Sequence, residues 1–132
     1  MIIVLDSNAA IEIVLKREKG KIFERLVDES DKVVSSELFR IEVANVLRKY
    51  YQGKYLKKFE CIKLLELAEN LNDEYIPIKD NNLEALNEAI RLKFSAYDML
   101  YLTIARRMGA MLVTLDNSLN VIAKKEGIDT AV

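Results

Sequence analysis

Short apolar, β-branched runs alternate along this chain with segments of helical periodicity, and no hairpin-turn dipeptide joins one run to the next. Runs that a tight turn cannot pair must pair through crossovers, which makes the sheet parallel and puts helices on both of its faces. The expected strands are Met1 to Leu5, Lys32 to Ser35, the EYIPI segment that contains Pro77, AMLVTL, and a closing IDTAV. Helices are expected from Asn8 to Arg17, Lys21 to Glu29, Ser36 to Tyr51, Tyr55 to Leu71, Asn82 to Lys93, Ser95 to Met108 and Ser118 to Glu126. Gly53 and Gly109 would end two of them. At 132 residues the chain suffices for one α/β domain, taken as residues 1–132.

Two of the strands stop abruptly at a carboxylate, Asp6 after MIIVL and Asp116 after AMLVTL. A carboxylate at the end of a buried strand is costly to desolvate unless a proton, a backbone donor or a cation meets it. Right-handed crossovers align the carboxyl ends of parallel strands along one edge, where open sheets bind ligands. Asp6 and Asp116 are therefore expected to share that edge.

Composition narrows the chemistry. With no histidine, the Ser-His-Asp and Cys-His arrangements, the usual zinc sites and imidazole acid-base catalysis are excluded, so any catalysis falls to carboxylates, hydroxyls or lysines. The single cysteine, Cys61, reads as a small apolar helix residue. No apolar run approaches the ~20 residues of a membrane span, and the chain opens without the regions of a signal peptide, so a cytoplasmic location with no membrane association is expected. The four glycines are isolated, which excludes P-loop and dinucleotide motifs.

Two helical acids border apolar faces. Glu42 lies about 60° from the centre of the stripe Phe39, Val43, Val46, Leu47 and Tyr50, whereas Glu37 falls on the opposite side. Asp98 stands three residues after Ser95 in a Ser-x-x-Asp pattern that also reads as a capping box. Each acid alone has a structural explanation, as a cap or a solvated flank. Jointly, four carboxylates a few ångströms apart would repel by about 4 kcal/mol per pair at 4 Å, and all-oxygen ligation of that kind suits Mg²⁺ or Mn²⁺. Such an ion can activate water for attack on a phosphodiester without histidine.

The sequence resembles the PIN-domain nucleases, and more narrowly the VapC-like toxins of prokaryotic toxin-antitoxin pairs, in IVLDSNAAI, ELFRIEVANVL and SAYDMLYLTIARRMGAMLVTLD, in that order. The resemblance implies a three-layer fold of parallel sheet between helices and a metal-dependent endoribonuclease site of Asp6, Glu42, Asp98 and Asp116, with Mg²⁺ or Mn²⁺. Thr114 would support the site by hydrogen bonding, and Ser7 is a further candidate. It also implies an RNA substrate, a cognate antitoxin and a homodimer. The segment from Ser36 to Leu71, with Leu56, Phe59, Leu64 and Leu65, is the expected antitoxin groove.

Setting the four acids aside turns the formal charge of the chain from −1 to +3, which is compatible with RNA. Lys16, Arg17, Lys19 and Lys21, with Arg48, Lys49, Arg106 and Arg107, are the candidate phosphate contacts. Two other readings remain. A receiver-like or haloacid-dehalogenase-like module also places an aspartate after an apolar strand, although Asp6 is followed by Ser7 and Asn8 without a second aspartate. An inactive PIN-like RNA-binding module would keep the fold without the cleavage.

Overall fold

Strand pairing follows the apolar runs. In the computed structural model, which describes residues 1–132, four parallel strands form one sheet: β1 (Ile2–Leu5), β2 (Lys32–Ser36), β3 (Glu74–Ile76) and β4 (Met111–Val113). Their order is β3-β2-β1-β4. The helices are α1 (Ser7–Val14), α2 (Glu18–Glu29), α3 (Leu38–Gln52), α4 (Lys58–Glu69), α5 (Asn82–Leu92), α6 (Ala96–Met108) and α7 (Asn117–Lys125). A single 3₁₀ turn, Ile78–Asp80, was not expected from the sequence.

The strand order dictates the layers. From β1 through β2 to β3 the chain steps in one direction across the sheet, so right-handed crossovers keep α1 to α4 on one face. The return from β3 past β1 to β4 reverses the direction and puts α5 and α6 on the other. The period of two in each strand divides the core accordingly. Ile3, Leu5 and Val33 pack with Ile11, Phe23, Phe39, Val43 and Ala68 on the first face. Val4, Val34 and Leu112 pack with Ala85, Met99, Leu102 and Leu119 on the second. Helix α6 is buried from Met99 to Ala105 without a break, which explains why its apolar pattern runs all the way round.

Two glycines are required by the geometry. A Cβ on Gly20 would stand 2.1 Å from the Glu12 carbonyl oxygen, so glycine is what lets α2 lie directly on α1. Gly109 closes α6 with φ of +58°, as the left-handed cap expected there. Ser36, expected to cap α3, ends β2 instead and accepts the Leu38 N–H at 3.1 Å, while Glu37 takes the N-cap position without a side-chain cap bond. Pro77 directly follows the edge strand β3, where no sheet bond needs its missing N–H.

One expected strand does not form. IDTAV contributes a single parallel bridge, Leu112 to Thr130, held by Leu112 N–H to Asp129 O at 2.8 Å and Ala131 N–H to Leu112 O at 3.2 Å. The chain touches the outer edge of β4 at one residue, and with β4 itself only three residues long there is little further backbone to pair. The helix expected from Tyr55 begins only at Lys58, because residues 53–57 form the turn out of α3. No helix is long and apolar enough to cross a membrane.

Candidate active site

The sheet reverses its winding at β1 and β4, and Asp6 and Asp116 leave it there. Leu5 pairs with Val113, and the Asp6 N–H donates to Val113 O at 3.0 Å, so the chain segments that carry the two aspartates leave the sheet side by side. This is the crevice at which open α/β sheets bind ligands. Glu42 comes to the same edge from α3 on one face, and Asp98 from the first turn of α6 on the other.

Hydroxyls tie the acids together. Thr114 Oγ1 donates to Asp6 Oδ2 at 2.7 Å and accepts the Asp116 N–H at 3.1 Å, so one buried threonine connects the ends of both strands. Ser7 Oγ lies 3.3 Å from Asp6 Oδ1 and 3.2 Å from Glu42 Oε1 and bridges those carboxylates. Tyr101, fully buried on α6, donates its hydroxyl to the same Glu42 Oε1. Glu42 Oε2 is left free of protein donors, as is Asp116 Oδ2.

Tyr101 and Asn8 were not among the residues expected here. Asn8 Oδ1 accepts the Leu115 N–H at 3.0 Å and faces Thr114 Oγ1 at 3.2 Å, which fixes the turn after β4. The signal for Tyr101 was present in YDMLY, since it stands three residues after Asp98 on the same helix face. It was masked by the apolar run around it.

The capping explanations now separate. Asp6 occupies the N-cap position of α1 but makes no side-chain cap bond. Ser95 caps α6 by accepting the Asp98 N–H at 3.1 Å, while the Asp98 carboxylate makes no reciprocal bond to the Ser95 amide, so the expected capping box is only half formed. Asp116 is a true cap, accepting the Leu119 N–H at 3.1 Å.

Electrostatics set these acids apart from the rest of the surface. Burial pushes the Asp6 carboxyl up to about 7, against the opposing hydrogen bond from Thr114, and the charges of Glu42 and Asp98 push it the same way. Glu42 is raised by burial and by Asp98, and Asp98 by burial and by Asp116. The other two buried carboxylates meet cations, Glu12 with Arg17 and Glu88 with Arg91 and Arg106, as does the half-buried Glu84 with Arg106 and Arg107. None of the four edge acids has such a partner.

The arrangement is more open than the sequence led us to expect, for no three acidic side chains close into a ready-made metal cage. A cation held here by one or two carboxylates would keep positions for water or phosphate oxygen, which is how Mg²⁺ and Mn²⁺ are usually bound. All-oxygen donors, burial and the want of any lysine or arginine partner all fit a divalent ion.

A profile of the PIN-domain family matches residues 3–125. The chain belongs to the PIN-domain family. Ribonuclease VapC3 of Pyrobaculum aerophilum is 28% identical over 124 residues, covering 90% of this chain and 92% of that protein. Among solved structures of this PIN fold, PAE2754 from the same organism superposes with a TM-score of 0.76 at 20% identity, over 99% of this chain and 92% of that one. VapBC2 from Rickettsia felis, bound to a DNA fragment from the promoter, superposes with 0.68 at 17% identity, over 98% and 97%. The receiver-like and haloacid-dehalogenase-like readings fall away with the PIN assignment.

The basic candidates divide as well. Arg106 and Arg107 lie at the far end of α6 from Asp98 and are taken up by Glu84 and Glu88. Arg17 is held by Glu12 at 3.0 Å. Lys16, Lys19 and Lys21 are exposed and make no ion pair, and the same holds for Arg48 and Lys49.

Proposed function

We propose that this PIN domain, acting as one unit over residues 1–132, is a divalent-metal-dependent endoribonuclease and the toxin of a toxin-antitoxin pair. The observation that carries the chemistry is the set of four acids around the β1/β4 crevice without a compensating cation. Asp6, Glu42, Asp98 and Asp116 would hold Mg²⁺ or Mn²⁺, which supplies Lewis-acid activation of water and charge stabilisation on the phosphate. The chain itself supplies positioning. Thr114 and Ser7 orient Asp6, while Ser7 and Tyr101 occupy Glu42 Oε1 and turn Oε2 outward. The similarity to Ribonuclease VapC3 supports RNA as substrate.

For the antitoxin we propose the cleft of about 410 Å³ between α3 and α4, floored by Ala44, Leu47, Cys61 and Leu65 and edged by Tyr51 and Ile62. An amphipathic helix would fit its apolar floor. Leu56 and Leu64, expected in the groove, pack instead toward the core, and Phe59 stands exposed beside it. Self-association is proposed through α5, where Leu83, Leu86 and Ile90 form an exposed apolar stripe at helical spacing.

The deciding experiment is cleavage of mixed RNA by wild type and Asp98→Asn, with Mn²⁺ and with chelator. Cleavage by wild type in Mn²⁺, with loss of at least 100-fold in the variant or in chelator, is the expected result. Equal rates for variant and wild type would overturn the site, and RNA binding without any cleavage would leave an inactive PIN-like binding module.

A further inference from the structure

The catalytic face of α3 does not end at Glu42. Val46, Lys49 and Tyr50 follow it at intervals of four, seven and eight residues on the same side of the helix, reaching about 12 Å along the axis. There Val46, Lys49, Tyr50 and Tyr55 line a second cleft of about 380 Å³, on the opposite side of α3 from the apolar groove.

The aromatic pair in this cleft is held in place. Arg17, anchored on Glu12, donates to the Tyr50 hydroxyl and covers its ring, with 5.4 Å from guanidinium to centroid. Tyr55 meets Tyr50 edge-on at 6.2 Å between centroids, and its backbone is fixed by its own N–H to Tyr50 O at 2.9 Å. Yet the Tyr55 side chain is 79% exposed. A rigidly mounted, solvent-facing tyrosine leaves one π-face free for stacking.

Charge points to the class of ligand. Residues 48–63 carry six lysines and arginines against one glutamate, although the whole chain is at −1. All six are exposed, and none enters a salt bridge, whereas Arg17, Arg40, Arg91, Arg106 and Arg107 all face carboxylates. The lone Glu60 folds back on the start of α4, accepting the Lys57 N–H at 2.9 Å. Arg48 and Lys58 of this run edge the apolar groove, whereas Lys49 and Lys54, both unpaired, flank the Tyr50–Tyr55 pair, and cations beside an exposed ring suit a polyanion with stacking bases.

We infer that Lys49, Lys54, Tyr50 and Tyr55 form a subsite for single-stranded RNA flanking the catalytic edge, with a base stacked on Tyr55 and neighbouring phosphates on Lys49 and Lys54. The identity of the ligand rests on the ribonuclease reading above. Arg17, first taken as a phosphate contact, serves here as the support of the ring pair.

The test is fluorescence anisotropy of the full chain with an unstructured RNA of about ten nucleotides, in chelator so that no cleavage occurs. Tyr55→Ala is expected to weaken binding about 5- to 100-fold, and Tyr55→Phe to restore it. Lys49→Gln with Lys54→Gln is expected to flatten the slope of log affinity against log salt by about 1.4. Wild-type affinity in Tyr55→Ala, or no RNA binding by wild type at low salt, overturns the subsite. So does a Tyr55→Ala variant that loses affinity only for the antitoxin protein. Cleavage in Mn²⁺ reports separately: Tyr55-dependent binding without cleavage keeps the subsite and discards the nuclease, and the reverse pattern does the opposite.

Discussion

Asp6 is the most deeply buried of the four edge acids, and its neighbours on two sides are carboxylates. Its carboxyl titrates near 7 in the folded chain and near the ordinary value when unfolded, so between those limits the folded state holds the extra proton. Stability should therefore fall as pH rises from 5 to 7.5 in chelator. Asp6→Asn should flatten that slope and gain on the order of 2–3 kcal/mol at the upper end, read as denaturant midpoints across pH. Added Mn²⁺ should flatten the wild-type slope in the same way, and a wild type most stable at pH 7.5 without metal would contradict the account. Tyr101 gives a second test at this scale. Tyr101→Phe removes the hydroxyl that occupies Glu42 Oε1 and should weaken Mn²⁺ binding about tenfold by titration, while Asp98-dependent chemistry at saturating metal persists.

Helix starts distinguish acids whose side chains cap from acids whose side chains do not. Helix α7 depends on the Asp116 side chain for its Leu119 amide, whereas α1 and α6 take nothing from the side chains of Asp6 and Asp98. Asp116→Ala should thus cost about 1 kcal/mol in chelator and more in Mn²⁺, and Asp116→Asn much less in chelator, since asparagine caps as well. Asp98→Asn should instead stabilise the metal-free chain by removing like-charge repulsion. Thermal unfolding in chelator should move Asp116→Ala and Asp98→Asn in opposite directions, and a loss of stability in both would reduce Asp98 to a cap.

For the whole molecule, the reversal of sheet winding at β1 and β4 explains why residues about 110 positions apart, Asp6 and Asp116, share one crevice. It also leaves surfaces on opposite layers for the proposed tasks: α3 and α4 on one face would serve RNA and antitoxin, and the apolar stripe of α5 on the other would meet a second copy. Leu86→Lys with Ile90→Lys should convert a dimer to a monomer in sedimentation velocity, with the RNA affinity of a single chain unchanged. A wild type that sediments as a monomer would remove α5 from that role.

The parallel α/β architecture and its strand-end acids were legible because they depend on local rules: apolar runs too short for helices, crossovers in place of hairpins, and carboxylates that end those runs. Even the positions of Glu42 and Asp98 beside apolar faces follow from helical periodicity. Three features were settled only by tertiary contact. IDTAV was written like a strand but meets β4 at one residue, because pairing depends on the length of its neighbour. Asp98 had the spacing of a capping box, yet its carboxylate is left without the reciprocal bond at an edge built by α3, β1 and β4. Tyr101 lay within an apolar run and Arg17 was a candidate phosphate contact, and their partners here stand 59 and 33 residues away in sequence. Periodicity reports which face of an element is buried; which polar atom a buried or bordering side chain meets depends on where the other elements pack.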